Sequence, residues 1–205
     1  MYSKIQYISS GTTEEQQLNN IKAVLQKGIQ WVQLRFKTED HSAVRRVAHA
    51  TKFLKQEYDF TFIINDLIDI AQEVDADGVH LGLEDQGVAI ARHQLGSDKI
   101  VGGTANTWSD VQQRILEGCD YIGLGPLRFT TSKAKLSPLL GVEGYRDIYD
   151  ELKDCPAPPI YAIGGVTLED IPLLSSIGVY GVAISSYLER EDLKHLTIHH
   201  TNLTI

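Results

Sequence analysis

The feature that most constrains this chain is an alternation that runs from end to end. Short β-rich runs starting near Ile5, Trp31, Phe60, Gly78, Ile100, Tyr121, Ile160 and Gly181 are separated by amphipathic stretches such as Glu14–Gln26, Ala43–Gln56, Trp108–Leu116 and Leu168–Ile177. Strands alternating with helices imply parallel strands joined by right-handed crossovers. The runs fall into two interleaved sets. The even-numbered ones read Gly28-Ile-Gln-Trp-Val-Gln-Leu-Arg35, Ala76-Asp-Gly-Val-His-Leu-Gly82, Cys119-Asp-Tyr-Ile-Gly-Leu-Gly125 and Val179-Tyr-Gly-Val-Ala-Ile-Ser185. The odd-numbered ones, such as Phe60-Thr-Phe-Ile-Ile-Asn65 and Pro159-Ile-Tyr-Ala-Ile-Gly164, look different. A closed barrel fills its interior in layers drawn from alternate strands, whereas an open doubly wound sheet has no reason for such alternation. The expectation is an α/β protein, a (β/α)8 TIM barrel, forming one compact catalytic domain over 1–205.

At 205 residues the chain is short for this architecture, which typically needs ~250, so loops and helices must be lean. The longest irregular stretch is Pro126–Gly141, and the eighth helix, near Tyr187–Leu196, reads as short. A net charge of −8 argues against a nucleic-acid face, so any phosphate site must be a local positive pocket in an acidic protein. No apolar run approaches the ~20 residues of a membrane span, and the first residues, Met1–Tyr7, hold no secretory apolar core. The two cysteines, Cys119 and Cys155, lack metal-ligand spacing and read as unpaired, mostly buried thiols. Cytoplasm is the expected compartment.

Polar residues gather just after the strands, where a barrel of this type places its chemistry. Strand 2 ends in Gln33-Leu34-Arg35-Phe36-Lys37, with Gln33 and Arg35 on one face and Lys37 able to lean the same way. Strand 3 ends in Asn65-Asp66 and strand 4 is followed by Glu84-Asp85. Two carboxylates from adjacent strand ends suit Mg2+, which takes one or two of them and leaves room for phosphate; helix capping is the rival reading for each. The strand 6 loop supplies Thr130, Thr131, Ser132 and Lys133, while strands 7 and 8 end in Gly164-Gly165 and Ser185-Ser186, a place where barrels bind phosphate through backbone N–H groups. His80 reads as a packed core residue, and His195, His199 and His200 as incidental.

These segments together resemble the thiamine-phosphate synthase family. Gln33-Leu-Arg-Phe-Lys37, Ile64-Asn-Asp66, Ala76-Asp-Gly-Val-His-Leu-Gly-Leu-Glu-Asp85, Asp120-Tyr-Ile-Gly-Leu-Gly-Pro126, Thr130-Thr-Ser-Lys133 and Ala162-Ile-Gly-Gly-Val166 follow in the family's order. The resemblance implies a transferase that joins hydroxymethylpyrimidine diphosphate to thiazole phosphate, releasing diphosphate. It implies that Gln33, Leu34, Arg35, Phe36, Lys37, Asn65, Thr104 and Lys133 bind the pyrimidine diphosphate. Arg35, Lys37 and Lys133 would stabilise its departing charge, and Asp66 and Asp85 would ligate Mg2+. Thr130, Thr131, Ser132, Gly165, Ser185 and Ser186 would hold the thiazole phosphate. It further implies rupture of the carbon–oxygen bond before the new carbon–nitrogen bond forms, with no protein nucleophile, and a homodimer; no membrane or nucleic-acid partner is expected.

The chain departs from the family pattern in places. After strand 5, where the family has serine and, two residues on, histidine, this chain has Thr104 and Asn106; Ser132 replaces a usual threonine and Leu67 a common arginine. The related thiazole tautomerase type depends on that histidine and lacks part of the diphosphate-gripping set, so Asn106 together with Arg35, Lys37, Asp66, Asp85 and Lys133 favours the synthase. A phosphate-binding homologue without catalysis is the remaining alternative.

Overall fold

The protein is described here from a computed structural model, which covers residues 2–129 and 139–190 and the strand segments 197–198 and 203–204. Eight strands close into a barrel: β1 (Ile5–Ile8), β2 (Trp31–Leu34), β3 (Thr61–Asn65), β4 (Gly78–Leu81), β5 (Ile100–Ala105), β6 (Tyr121–Leu124), β7 (Ile160–Ala162) and β8 (Gly181–Ile184). All neighbours are parallel, and closure is made by β1 on β8 with Ile5 opposite Val182 and Tyr7 opposite Ile184. The helices between them are α1 (Glu14–Gln26), α2 (His41–Phe53), α3 (Ile68–Glu73), α4 (Val88–Leu95), α5 (Trp108–Leu116), α6 (Gly141–Leu152) and α7 (Ile171–Ile177), followed by α8 (Ser186–Arg190). Two further short strands, β9 (Thr197–Ile198) and β10 (Leu203–Thr204), pair antiparallel apart from the barrel.

Most boundaries follow from local chemistry. Thr13 accepts from the Gln16 N–H to start α1, and Thr107 with Asp110 forms a reciprocal capping box that starts α5. Helix α2 begins two residues before the expected Ala43, because Asp40 caps it by accepting from the Ser42 N–H at 2.9 Å. The stretches expected as single helices over 43–56 and 168–177 each contain a 3-10 turn, Leu54–Gln56 and Leu168–Asp170. In the second, Pro172 sits in the first turn of α7, where its missing N–H costs nothing.

Period-two alternation divides the strands between two cores. Val32, Leu34, Phe62, Ile64, Val79, Leu81, Val101, Ile122 and Val182 point outward and pack with Ile21, Val47, Val111, Ile148 and Leu174 from the helices. Inside, Trp31, Ile63, Tyr121 and Tyr161 fill the end of the barrel where the strands begin, flanked by Tyr2, Ile100 and Tyr180. Trp31 lies edge-on to Tyr121 and Tyr161 at 5.2 and 5.4 Å between ring centroids, and these two rings are 5.6 Å apart. Such edge-to-face pairs add roughly 0.5–1.5 kcal/mol each beyond area burial. Inward glycines make room for them: a Cβ on Gly102 would enter the Tyr121 ring, and one on Gly181 would press on Tyr161. Gly78, which opens β4, has a different reason: a Cβ there would strike the Ile100 backbone of β5.

Of the thiols, Cys119 is buried as expected and burial pushes its pKa up to about 11. Cys155 corrects the expectation: it is exposed, in the turn after α6. Both are free. No helix among the described residues is long and apolar enough to cross a membrane.

Candidate active site

The residues at the strand ends converge on the open end of the barrel, opposite the aromatic plug. At the end of β2, Gln33 is almost fully buried and donates through Nε2 to Asn65 Oδ1 of β3 at 2.7 Å. Its carbonyl, Oε1, is buried and has no hydrogen-bond partner among the described residues. A buried acceptor without a donor costs about 1–3 kcal/mol, so Gln33 Oε1 is suited to accept from a ligand N–H or O–H. Arg35 follows on the same face, its backbone N–H held by Ser9 Oγ of β1 at 2.8 Å. Burial lowers the Arg35 pKa and the charge of Asp66 opposes that. Lys37 is lowered by partial burial and by Arg35, again opposed by Asp66. Leu34, between them, faces the helices and lies in the outer core, so only its backbone reaches the mouth.

Asp66 is the most informative residue. Its φ of +65° is a left-handed conformation that non-glycine residues adopt at a cost of order 1–3 kcal/mol. Its N–H donates to the His80 carbonyl at 2.8 Å, which ties the turn after β3 to β4. Its carboxyl is open to the mouth, yet protein surrounds it closely enough to raise its pKa to about 7: burial acts first, then a hydrogen bond and charge repulsion from Asp85, against Arg35 and Lys37. Asp85 in turn accepts from the Gly82 N–H through Oδ2 at 2.6 Å. Neither caps a helix, since Leu67 and Gly87 occupy the cap positions of α3 and α4. The capping reading is therefore set aside, and the two carboxyls meet each other instead. Among the described residues no cluster of three or more metal-ligating side chains forms, so any divalent ion here has these two carboxylates and must complete its shell with water or ligand oxygen.

Thr104, at the inward face of β5, is 7 % exposed and its hydroxyl lies 3.0 Å from His80 Nε2. His80 is buried, as expected of a core residue. Across the mouth, Gly164 and Gly165 both have positive φ, +81° and +69°, and a Cβ on either would strike Pro126 or Arg128. Only glycine permits this close approach of the β7 turn to the β6 turn. Ser185 follows β8 and Ser186 begins α8. Thr130, Thr131, Ser132 and Lys133 lie outside the described residues, as do His195, His199 and His200.

Several site-shaping residues carry no sequence signal of that role. Arg114, almost fully buried on α5, donates to the carbonyls of Thr104 and Gly82 at 3.0 and 2.9 Å and so fixes the ends of β5 and β4 together. Asn106 donates to the Gly125 carbonyl. Arg128 grips Asp170 with two 2.6 Å bonds and donates to the Gly165 carbonyl at 3.0 Å, holding the glycine turn in place.

Comparison with known proteins identifies the family. The family model described as thiamine monophosphate synthase matches residues 6–188. The chain belongs to the thiamine monophosphate synthase family. The thiamine-phosphate synthase of Flavobacterium psychrophilum is 50% identical over 193 residues, covering 94% of each chain. That of Flavobacterium johnsoniae is 47% identical over 203 residues, covering 98% of this chain and 96% of its own. Among solved structures, a thiamine phosphate pyrophosphorylase from Pyrococcus furiosus superposes with a TM-score of 0.78 at 27% identity, over 94% of this chain and 90% of that one. The family membership makes the chain an enzyme, a transferase with thiamine-phosphate synthase function.

Proposed function

We propose that the enzyme joins hydroxymethylpyrimidine diphosphate to thiazole phosphate in a Mg2+-dependent, dissociative displacement of diphosphate. The observation that carries the reading is the Asp66–Asp85 carboxyl pair facing Arg35 and Lys37. Two like charges drawn together at an opening, with the pKa of one raised, fit a divalent cation that would relieve their repulsion. Asp66 and Asp85 would hold Mg2+, which when bound neutralises charge on the leaving diphosphate. Arg35 and Lys37 would bind the same diphosphate, and Lys133 would complete that set. Each cation stabilises the departing group more than the bound substrate, because charge concentrates on it as the carbon–oxygen bond stretches.

Gln33 Oε1 accepts from the pyrimidine's amino group, while Gln33 Nε2 and Asn65 brace one another. Leu34 and Phe36 contribute through the backbone and by lining the strand end. Thr104 donates its hydroxyl to the diphosphate. The thiazole phosphate is held by Thr130, Thr131, Ser132, the Gly165 backbone, Ser185 and Ser186. The enzyme orients the thiazole nitrogen toward the electron-poor pyrimidine carbon and excludes water that would capture it. Asn106 supports synthesis rather than tautomerisation, being engaged with the Gly125 carbonyl where the isomerase needs an imidazole. Two free thiols suit a reducing compartment, and cytoplasm is the proposed location; a homodimer is the proposed assembly.

The test is direct. The folded protein is incubated with both phosphorylated precursors and Mg2+, and thiamine phosphate is measured. Absence of product sinks the reading.

A further inference from the structure

Below the mouth, a chain of polar side chains runs across the barrel interior. Gln6 Nε2 lies 3.2 Å from the Tyr121 hydroxyl, Tyr121 Oη lies 3.0 Å from His80 Nδ1, and His80 Nε2 lies 3.0 Å from Thr104 Oγ1. The four residues are 2 %, 0 %, 6 % and 7 % exposed. Gly123 leaves the space for the imidazole, since a Cβ there would stand 3.1 Å from His80 Cε1.

Donors and acceptors in this chain have a direction. The Gln6 amide can only donate through nitrogen, so it occupies a lone pair of the tyrosine oxygen. Burial raises the Tyr121 pKa, so the phenol keeps its hydrogen, and a fully buried O–H needs an acceptor. His80 Nδ1 stands in that position. The proton of the neutral ring then sits on Nε2 and points at Thr104 Oγ1, which accepts it. Arg114 meanwhile binds the Thr104 carbonyl. The hydroxyl hydrogen of Thr104 is then not used within this chain and is available to another acceptor. Were the ring reversed, Thr104 would donate inward and turn its lone pairs on an anion.

We propose that His80 is a positioning residue: Gln6 and Tyr121 hold its imidazole in the Nε2–H form, so that Thr104 presents a hydroxyl donor to a phosphate oxygen in the mouth. The proposal rests on the reading of the mouth as a diphosphate site, and deepens it by giving His80, otherwise a packed core residue, a part in anion recognition.

Two measurements decide it. The 15N spectrum of histidine-labelled, ligand-free protein should show His80 with a bare Nδ1 and a protonated Nε2. The reverse pattern overturns the proposal, with no dependence on turnover. The second is a double-mutant cycle read by calorimetry with inorganic diphosphate and Mg2+. Tyr121→Phe keeps the ring and removes the donor; it should weaken binding about tenfold, the equivalent of ~1.4 kcal/mol. In a Thr104→Val background the same change should cost nothing further. Equal losses in both backgrounds would mean that Tyr121 only supports packing, and the proposal fails. If both measurements come out as expected while the two precursors yield no product, the synthase reading falls and the relay stands.

Discussion

At the scale of single residues, the mouth is governed by charges held closer than water would leave them. Asp66 and Asp85 repel each other unless a proton or a cation intervenes. Mg2+ should therefore raise the melting temperature of the wild-type protein, by mass action on the folded state. Asp85→Ala should abolish that shift along with Mg2+-dependent turnover, and retention of either would remove Asp85 from the site. A second pair works in the opposite sense. The Arg128 bonds lower the pKa of Asp170, helped by the Thr167 backbone. A carboxylate lowered in the folded state contributes stability above its unfolded pKa, ordinarily 3.8, and loses it as pH falls through the folded value. Asp170→Asn should thus cost about 1–2 kcal/mol at neutral pH, the half-exposed arginine limiting the gain. Denaturation curves of the two proteins should converge only once pH has fallen below the lowered folded-state pKa of Asp170, itself under 3.8; a difference that persists there would be packing. Gln33, Arg35 and Asp66 were legible because they occupy alternate or terminal strand positions. Arg114 and Arg128 were not, since each acts on carbonyls far away in sequence, and no periodicity marks such a bond.

At the scale of elements, the alternation of strands with amphipathic stretches reached most of the fold. The limits of α1 and α5 coincide with those read from the sequence, and in the structure Thr13 and Thr107 cap their first turns. The 3-10 turns were hidden, because hydrophobic spacing is nearly the same in a tight turn and in the helix that follows it. The short α8 raised the question of what secures the last strand. The answer is Glu189, whose Oε1 accepts from the hydroxyls of Tyr7 and Ser10, both at 2.6 Å, while Lys27 holds the carbonyls of Leu188 and Glu189. Glu189→Ala would leave the buried Tyr7 hydroxyl without its acceptor, a loss of about 1–3 kcal/mol. Hydrogen exchange should quicken in β1 and β8 while β3 and β4 keep their protection. Uniform quickening would show that the helix end does not act as a local fastener.

At the scale of the whole molecule, β1 pairing with β8 leaves the barrel with no free strand edge. Each strand is supported on both sides, so loss of one should propagate around the ring. Unfolding followed by far-ultraviolet circular dichroism and by fluorescence should give coincident transitions, with Trp31 reporting from within the barrel. Separate midpoints would mean that the strands do not unfold as one ring. The plug of Trp31, Tyr121 and Tyr161 also has a kinetic meaning. A vessel stoppered at one end has a single doorway, so traffic through it is a queue. On the proposed function, a pyrimidine bound at the nearly buried Gln33 should enter before the thiazole phosphate. Product-inhibition patterns should then show compulsory order, whereas random-order patterns would show that the two halves of the mouth fill independently.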